Sequence, residues 1–145
     1  MSHTFFKIWI HLVWSTKDRE PLLHKDIRQG VFEHIKEKAG KEGFFIEAVG
    51  GIEDHVHCLM LLPPKQSISE AVNKLKGESS HWLNANKLTR THFAWQNGFA
   101  AFSVSESQIG KVKKYIEEQE EHHRTLSYTE EVERFLKLYK ALESK

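Results

Sequence analysis

The sequence predicts an α+β fold, a ferredoxin-like split βαβ antiparallel sheet with helices added after it. Three observations carry the prediction. Period-2 apolar runs mark four short strands, apolar stripes at helical spacing mark the segments between them, and the order reads strand, helix, strand, strand, helix, strand, then two more helices. A length of 145 residues suits a single domain over 1–145, with a core over about 5–123 and a C-terminal helical extension over about 124–145.

In the first segment, Phe6, Ile8, Ile10, Leu12 and Trp14 form one unbroken apolar face, and Lys7, Trp9, His11 and Val13 form a mixed one. Lys25 to Lys41 then places Ile27, Val31, Ile35 and Ala39 at helical spacing, with Gly40 and Gly43 as stop signals. Phe44 to Val49 reads as the second strand, and Gly50-Gly51 as the turn into a third that runs from His55 to Leu62 and ends at Pro63-Pro64. Ser67-Ile68-Ser69-Glu70 is a capping box, and Ile68, Val72, Leu75 and Trp82 continue it as a helix to about Asn86. Phe99 to Val104 is the fourth strand. Ser105-Glu106-Ser107-Gln108 is expected to cap a third helix reaching His123. Ser127-Tyr128-Thr129-Glu130 caps a fourth, with Val132, Phe135, Leu136, Tyr139 and Leu142 facing inward.

Composition narrows the function classes. Lys and Arg number 21 against 20 Asp and Glu, so the chain is no polycation, although a local basic groove stays open to it. The single cysteine, Cys58, forms no internal disulfide, suits a reducing compartment and reads as core packing. Lys7 and His11 interrupt the apolar start, no small-residue cleavage site follows it, and no stretch reaches membrane-spanning length. A cytoplasmic protein with no membrane partner is expected.

Asp54-His55-Val56-His57 leads into the apolar run Cys58-Leu59-Met60-Leu61-Leu62. Alternate side chains of a strand share a face, so His55 and His57 point the same way and could clamp a metal. With 10 histidines in the chain, about 0.7 such pairs arise by chance, so the pair needs support from elsewhere. The third helix offers it. Tyr115, Gln119 and His122 follow one another at helical spacing on one face, lining up a phenol, an amide oxygen and an imidazole. Taken without the strand, the same residues also fit a Tyr-Gln pair at a half-buried helix edge.

These motifs, with Leu75-Lys76-Gly77-Glu78-Ser79-Ser80, Trp95 and Gly98 before a strand, and Val112-Lys113-Lys114-Tyr115-Ile116-Glu117-Glu118-Gln119, resemble the single-tyrosine HUH transposases of insertion sequences, including their REP-associated relatives. The similarity runs in order from about His11 to His123. It implies that His55 and His57 bind a divalent cation, that Gln119 completes the metal site, and that Tyr115 is the nucleophile. It further implies a homodimer in a bacterial or archaeal cell, acting on single-stranded DNA beside a hairpin at the element ends. The tyrosine helix of such a dimer can dock on the partner's histidines, so active sites shared between subunits are part of the expectation.

The residue types suit this chemistry on their own terms. A phenol with a pKa near 10 needs its target phosphate polarised and positioned, which a metal held by imidazoles and an amide oxygen can do. Nitrogen and oxygen donors make Mg²⁺ or Mn²⁺ the expected ion, although imidazole also accepts Zn²⁺. His122 is a candidate extra ligand or phosphate contact, also readable as a helix-end histidine, and His11 lies on the face that could reach the site. Lys17, Arg19, Lys74, Lys76, Arg90, Lys113 and Lys114 are candidate phosphate contacts, each also readable as a solvated charge. Trp95 fits base stacking or a core anchor equally. The leading expectation is thus a metal-dependent transposase that cuts and rejoins single-stranded DNA through a phosphotyrosine link. The alternatives are a domesticated DNA-binding or regulatory protein of the same fold, marked by an impaired site, and a ferredoxin-like metal hydrolase or small-ligand module in which Tyr115 is structural.

Overall fold

A computed structural model describes residue 3, residues 5–123 and residues 126–139. Its sheet comprises β1 (Trp9–Ser15), β2 (Ile46–Ile52), β3 (His55–Leu61) and β4 (Ala100–Val104) in the order β2-β3-β1-β4, every neighbouring pair antiparallel. The helix α1 (Lys25–Lys41) connects β1 to β2, and α2 (Ile68–Ala85) connects β3 to β4. This is the ferredoxin-like arrangement that the element order predicts. Three short helices follow: α3 (Ile109–Glu117), α4 (Gln119–His122) and α5 (Tyr128–Tyr139).

Each face of the sheet carries its own core. On one, Ile10, Leu12 and Trp14 of β1 and Val56, Cys58 and Met60 of β3 pack under Val31, Phe32 and Ile35 of α1 and Ala71, Val72 and Leu75 of α2. Cys58 is buried there, and burial pushes its thiol well above the ordinary range. On the other, Trp9, Ala48, Leu59, Val104 and Ile116 form a smaller cluster flanked by Ile109 and Val112, which seats α3 on the sheet. The two strand histidines belong to this second face. Alternation alone dictates it once Val56 and Cys58 are in the main core.

Helix signals held better than strand ends. The Ser67 box is complete, with Glu70 N donating to Ser67 Oγ at 3.1 Å and Ser67 N to Glu70 Oε1 at 3.2 Å, and the same reciprocal pair joins Ser127 and Glu130. The third helix is different. Ser105 makes no capping bond, because Glu106–Gln108 form a 3₁₀ turn in which the Glu106 carboxylate receives Lys7 Nζ and Trp9 Nε1. The helix expected to reach His123 is broken at Glu118 (φ −103°, ψ 27°) between α3 and α4.

Strand ends moved for identifiable reasons. β1 starts at Trp9, leaving Phe6 and Ile8 exposed although their spacing continues the apolar face. Gly50 and Gly51 lie inside β2 rather than in the turn, which falls at Glu53-Asp54. A Cβ on Gly50 would stand 2.2 Å from the Ile116 carbonyl oxygen, and one on Gly51 2.1 Å from that of His55. These glycines serve close backbone approach, not a turn. On α5, Val132, Phe135 and Leu136 are partly buried; the Tyr139 side chain and Leu142, expected inward, lie outside what the structure describes.

Candidate metal and nucleophile centre

Register fixes where the histidines meet their neighbours. His57 lies opposite Val13 of β1 and Gly50 of β2, and His55 opposite Ser15 and Ile52, so both imidazoles rise from β3, one of the sheet's two central strands. His11 comes from the adjacent strand, on the same face. Its Nε2 lies 2.7 Å from His57 Nδ1, while His55 Nδ1 donates to Asp54 Oδ1 at 2.8 Å. With both Nδ1 atoms so engaged, a tautomer assigned from these partners, the Nε2 atoms of His55 and His57 turn towards the helices.

The helices bring the remaining groups. Gly50 lets the Ile116 backbone approach β2, and Arg28 of α1 holds α4 through Glu120 at 2.9 Å. Gln119 is thereby buried with its Oε1 3.1 Å from His55 Nε2. Tyr115, one turn earlier, sets its ring 5.8 Å from that of His57 in the same chain. The break at Glu118 then decides between the adjacent histidines. His122 stacks on Tyr115, with centroids 4.4 Å apart, whereas His123 faces His55 at 4.5 Å.

Helix α5 covers the cluster and contributes its most buried acid. Glu131, 1% exposed, places Oε1 2.9 Å from His57 Nε2 and 3.3 Å from the Nε2 atoms of both His55 and His123. The Tyr115 hydroxyl donates to Glu131 Oε2, and Gln119 Nε2 lies 3.3 Å from the same atom. One carboxylate thus touches every candidate metal ligand and the candidate nucleophile.

Burial and these contacts set the protonation states. Burial pushes His57 down to about 4 against its hydrogen bond to Glu131, and burial with the neighbouring His57 pushes His11 down to about 3, so both are neutral at pH 7. Burial opposes charge on His55 as well, but its bonds to Asp54 and Glu131 raise it to about 9. Glu131 is held far below the carboxylate range, its burial outweighed by His123, His55 and His57. Burial, and then Glu131, raise the Tyr115 phenol well above its usual value. The ion-free cluster is accordingly a protonated His55 against an ionised Glu131, with a neutral phenol beside them.

The donor set fits a divalent cation. His55, His57, His123 and Glu131 each offer one ligand atom, all within 4.8 Å of one another. The His123 side chain is only 3% exposed, yet among the described residues neither of its ring nitrogens has a well-formed hydrogen bond; Nε2 reaches Glu131 Oε1 at 3.3 Å, an ion-pair distance. A buried imidazole nitrogen aimed into three other donors is poorly served by protein alone and well served by an ion.

Some candidates fall elsewhere. His55, His57, Tyr115 and Gln119 come together, while His122 stacks on the tyrosine instead of joining the ligand atoms. Lys76 donates to the carbonyls of Gln96 at 2.6 Å and Gly98 at 2.8 Å, fastening the loop before β4 instead of offering a free charge. Trp95 is a core anchor, 8% exposed, with Nε1 donating to Ser79 Oγ at 2.9 Å and its ring edge-on to Trp14 and Phe93. Lys113 pairs with Glu47 at 3.5 Å, Arg19 donates to Thr129 on α5, and Lys74 sits 6.0 Å from the Phe44 ring centroid. Lys17, Arg90 and Lys114 are exposed.

Sequence reasoning missed Glu131 and His123. The signal for Glu131 was present: it falls between Tyr128 and Phe135 on one stripe of α5, an acid where an apolar residue is expected. A cleft of about 490 Å³ lined by Tyr115, His122, Glu131, Arg134 and Phe135 opens beside the phenol.

Comparison with known proteins agrees with this architecture. The family described as "Transposase IS200 like" matches residues 4–119. The chain is 28% identical to the ISDra2 transposase TnpA of Deinococcus radiodurans over 120 residues, which cover 79% of this chain and 85% of that one. It is 26% identical to the transposase for insertion sequence element IS200 of Salmonella typhimurium, covering 86% and 84%. A crystal structure from Deinococcus radiodurans, described as a transposase candidate, superposes with a TM-score of 0.65 at 26% identity, covering 82% of this chain and 95% of that one. A REP-associated tyrosine transposase bound to a REP hairpin shares the fold, with a TM-score of 0.55 at 19% identity and coverage of 80% and 69%.

Proposed function

The chain belongs to the IS200-like transposase family, and on that premise we propose that it is a metal-dependent transposase that cleaves and rejoins single-stranded DNA through Tyr115. The observation that carries this reading is the convergence of a phenol, two strand-borne imidazoles and an amide oxygen on one buried centre. An impaired site, the mark of a domesticated relative, is not what these four residues form.

His55, His57 and Gln119 would hold the cation, Mg²⁺ or Mn²⁺. When bound, it would draw charge from a non-bridging phosphate oxygen and so lower the barrier to attack. The phenolic oxygen of Tyr115 then forms a bond to phosphorus as one P–O ester bond breaks and a sugar hydroxyl leaves. The link conserves the ester's energy, so a second free hydroxyl can displace the tyrosine and rejoin the strand without a nucleotide cofactor. Before attack, the phenolic proton points at Glu131 Oε2.

Hairpin-bearing DNA is the proposed substrate, supported by the REP hairpin in the structure of the fold relative. Lys17, Arg90 and Lys114 offer exposed positive charge for its backbone, and Arg134 lines the cleft beside Tyr115. A homodimer remains part of the proposal, since strand transfer needs two cut ends. Each chain here carries its own tyrosine against its own histidines, so such a dimer would not need shared sites. Among the described residues no helix is long and apolar enough to cross a membrane, and we place the activity in the cytoplasm, with its DNA.

The test is a covalent adduct. The protein is incubated with Mn²⁺ or with EDTA and an oligonucleotide carrying the hairpin that flanks its gene, then run on a denaturing gel. We expect an adduct with Mn²⁺, none with EDTA and none from Tyr115→Phe. An adduct surviving in the phenylalanine variant would refute the role of Tyr115.

A further inference from the structure

We propose that His123 and Glu131 are additional protein ligands of the metal, so that the cation locks helix α5 over the nucleophile. The inference rests on the metal-dependent reading above and extends it to residues beyond the family match, which ends at 119. It is carried by geometry. Two donors on one ion at about 2.1 Å stand about 3.0 Å apart in an octahedral shell and about 3.4 Å apart in a tetrahedral one. Glu131 Oε1 is 2.9, 3.3 and 3.3 Å from the Nε2 atoms of His57, His55 and His123, and Gln119 Oε1 is 3.1 Å from His55 Nε2. Four separations of that size, converging from β3, α4, the residue after α4, and α5, describe a coordination shell better than a hydrogen-bond network.

The hydrogen-bond alternative leaves groups unsatisfied. Glu131 Oε1 cannot receive well-aligned protons from three imidazoles at once, and among the described residues His123 has no well-formed hydrogen bond through either nitrogen although its side chain is only 3% exposed. A cation would engage His123 Nε2 together with the other donors. Three imidazoles and two oxygens also form a more nitrogen-rich set than Mg²⁺ prefers, so the centre should choose Mn²⁺ over Mg²⁺.

The consequence is mechanical. Glu131 Oε1 faces the metal position while Oε2 receives the Tyr115 hydroxyl and lies near Gln119 Nε2, so one carboxylate joins metal occupancy to the placement of the phenol. Helix α5 is also held at its first turn by the bond from Arg19 to Thr129 and by Tyr128 against the His55 ring at 4.8 Å, and further along by Phe135 against the rings of Phe102 at 5.1 Å and His11 at 5.3 Å. Metal binding should tighten the helix onto the sheet.

The experiment titrates the full chain with Mn²⁺ alone and with Mg²⁺ alone by calorimetry, and follows amide hydrogen exchange over residues 126–139. Proteins compared are the wild type, Glu131→Gln, His123→Asn and His55→Asn, each checked for cooperative thermal unfolding. We expect Glu131→Gln and His123→Asn each to weaken Mn²⁺ binding at least tenfold, and Mn²⁺ to slow exchange in α5 of the wild type but not of Glu131→Gln. The wild type should bind Mn²⁺ more tightly than Mg²⁺. Unchanged Mn²⁺ affinity in both α5-side variants, with binding lost in His55→Asn, would overturn the added ligands while leaving the basic metal site intact. Unchanged affinity with faster adduct formation by Glu131→Gln would overturn the proposal by making the carboxylate a plug. Binding that persists in His55→Asn as well would overturn this proposal and the metal reading beneath it.

Discussion

Replacing Gly50 with alanine is the sharpest perturbation of the way the tyrosine is seated. The added Cβ would stand 2.2 Å from the Ile116 carbonyl oxygen and 3.0 Å from both the Ile116 carbonyl carbon and Cγ2. Ordinary contact needs about 1 Å more, and because the nearest atom is backbone, no rotamer change relieves the clash. Either β2 bends or the end of α3 lifts, and the residue next to Ile116 is Tyr115. Overpacking of this kind costs about 1–3 kcal/mol, which for a domain of this size lowers Tm by about 3–10 °C. A displacement near 1 Å at the nucleophile costs about 100-fold in rate. Tm is read by circular dichroism, and adduct formation by a single-turnover time course on the hairpin oligonucleotide with Mn²⁺. Gly30→Ala is the control, since a Cβ there meets nothing within 4 Å inside α1; it should raise stability by up to about 1 kcal/mol and leave the rate alone. A Gly50→Ala protein with wild-type Tm and wild-type rate would refute the close seating of α3 on β2.

Other expectations follow from the same contacts. In EDTA, stability should peak near pH 6.5 in urea titrations. Below that value unfolded His11 and His57 take up protons that the fold refuses until about 3 and 4, costing up to ~1.4 kcal/mol per pH unit each; above it, the stability from His55 is lost as pH rises through about 9. A monotonic rise in stability from pH 5 to 9 would contradict these assignments. His122→Ala should leave Mn²⁺ affinity within about twofold of wild type, because that ring meets the tyrosine and not the ligand atoms; a tenfold loss would restore it as a ligand. Lys76→Ala should lower Tm without changing the salt dependence of DNA binding, since its ammonium is spent on two loop carbonyls; a slope reduced by about one would mark it as a phosphate contact. Trp95→Ala should cost about 3–5 kcal/mol in urea unfolding, whereas a small stability loss with weakened DNA binding would return it to the substrate surface.

Much of the fold was legible because its signals are local. Helix α1 runs over the span its apolar spacing marks, and both reciprocal Ser-Glu caps form, since a cap depends on residues three apart. Strand ends were less legible. Gly50-Gly51 carries an ordinary turn signature, and only the Ile116 backbone pressing against it shows why glycine is needed inside the strand. The Ser105 cap failed in favour of a long-range bond, Trp9 Nε1 donating to Glu106, that no window along the chain contains.

The centre divides in the same way. Period-2 alternation put His55 and His57 on one face, and helical spacing put Gln119 one turn after Tyr115, so these four residues could be chosen from the sequence together with the family resemblance. Which of two adjacent histidines would face them was undecidable there, because it turns on a helix break at Glu118 that swings His123 inward and leaves His122 on the tyrosine. Glu131 was further out of reach. Its place on α5 was readable, but its contact with the histidines arises only when α5 folds back over the sheet and brings a carboxylate within 2.9 to 3.3 Å of three imidazoles. Sequence alone determined the order of strands and helices and the faces of the strand residues inside β1 and β3, because backbone geometry repeats over a few residues. Tertiary structure decided which of those faces meet, because burying an acid and three imidazoles together is tolerable only where distant segments supply each other's partners.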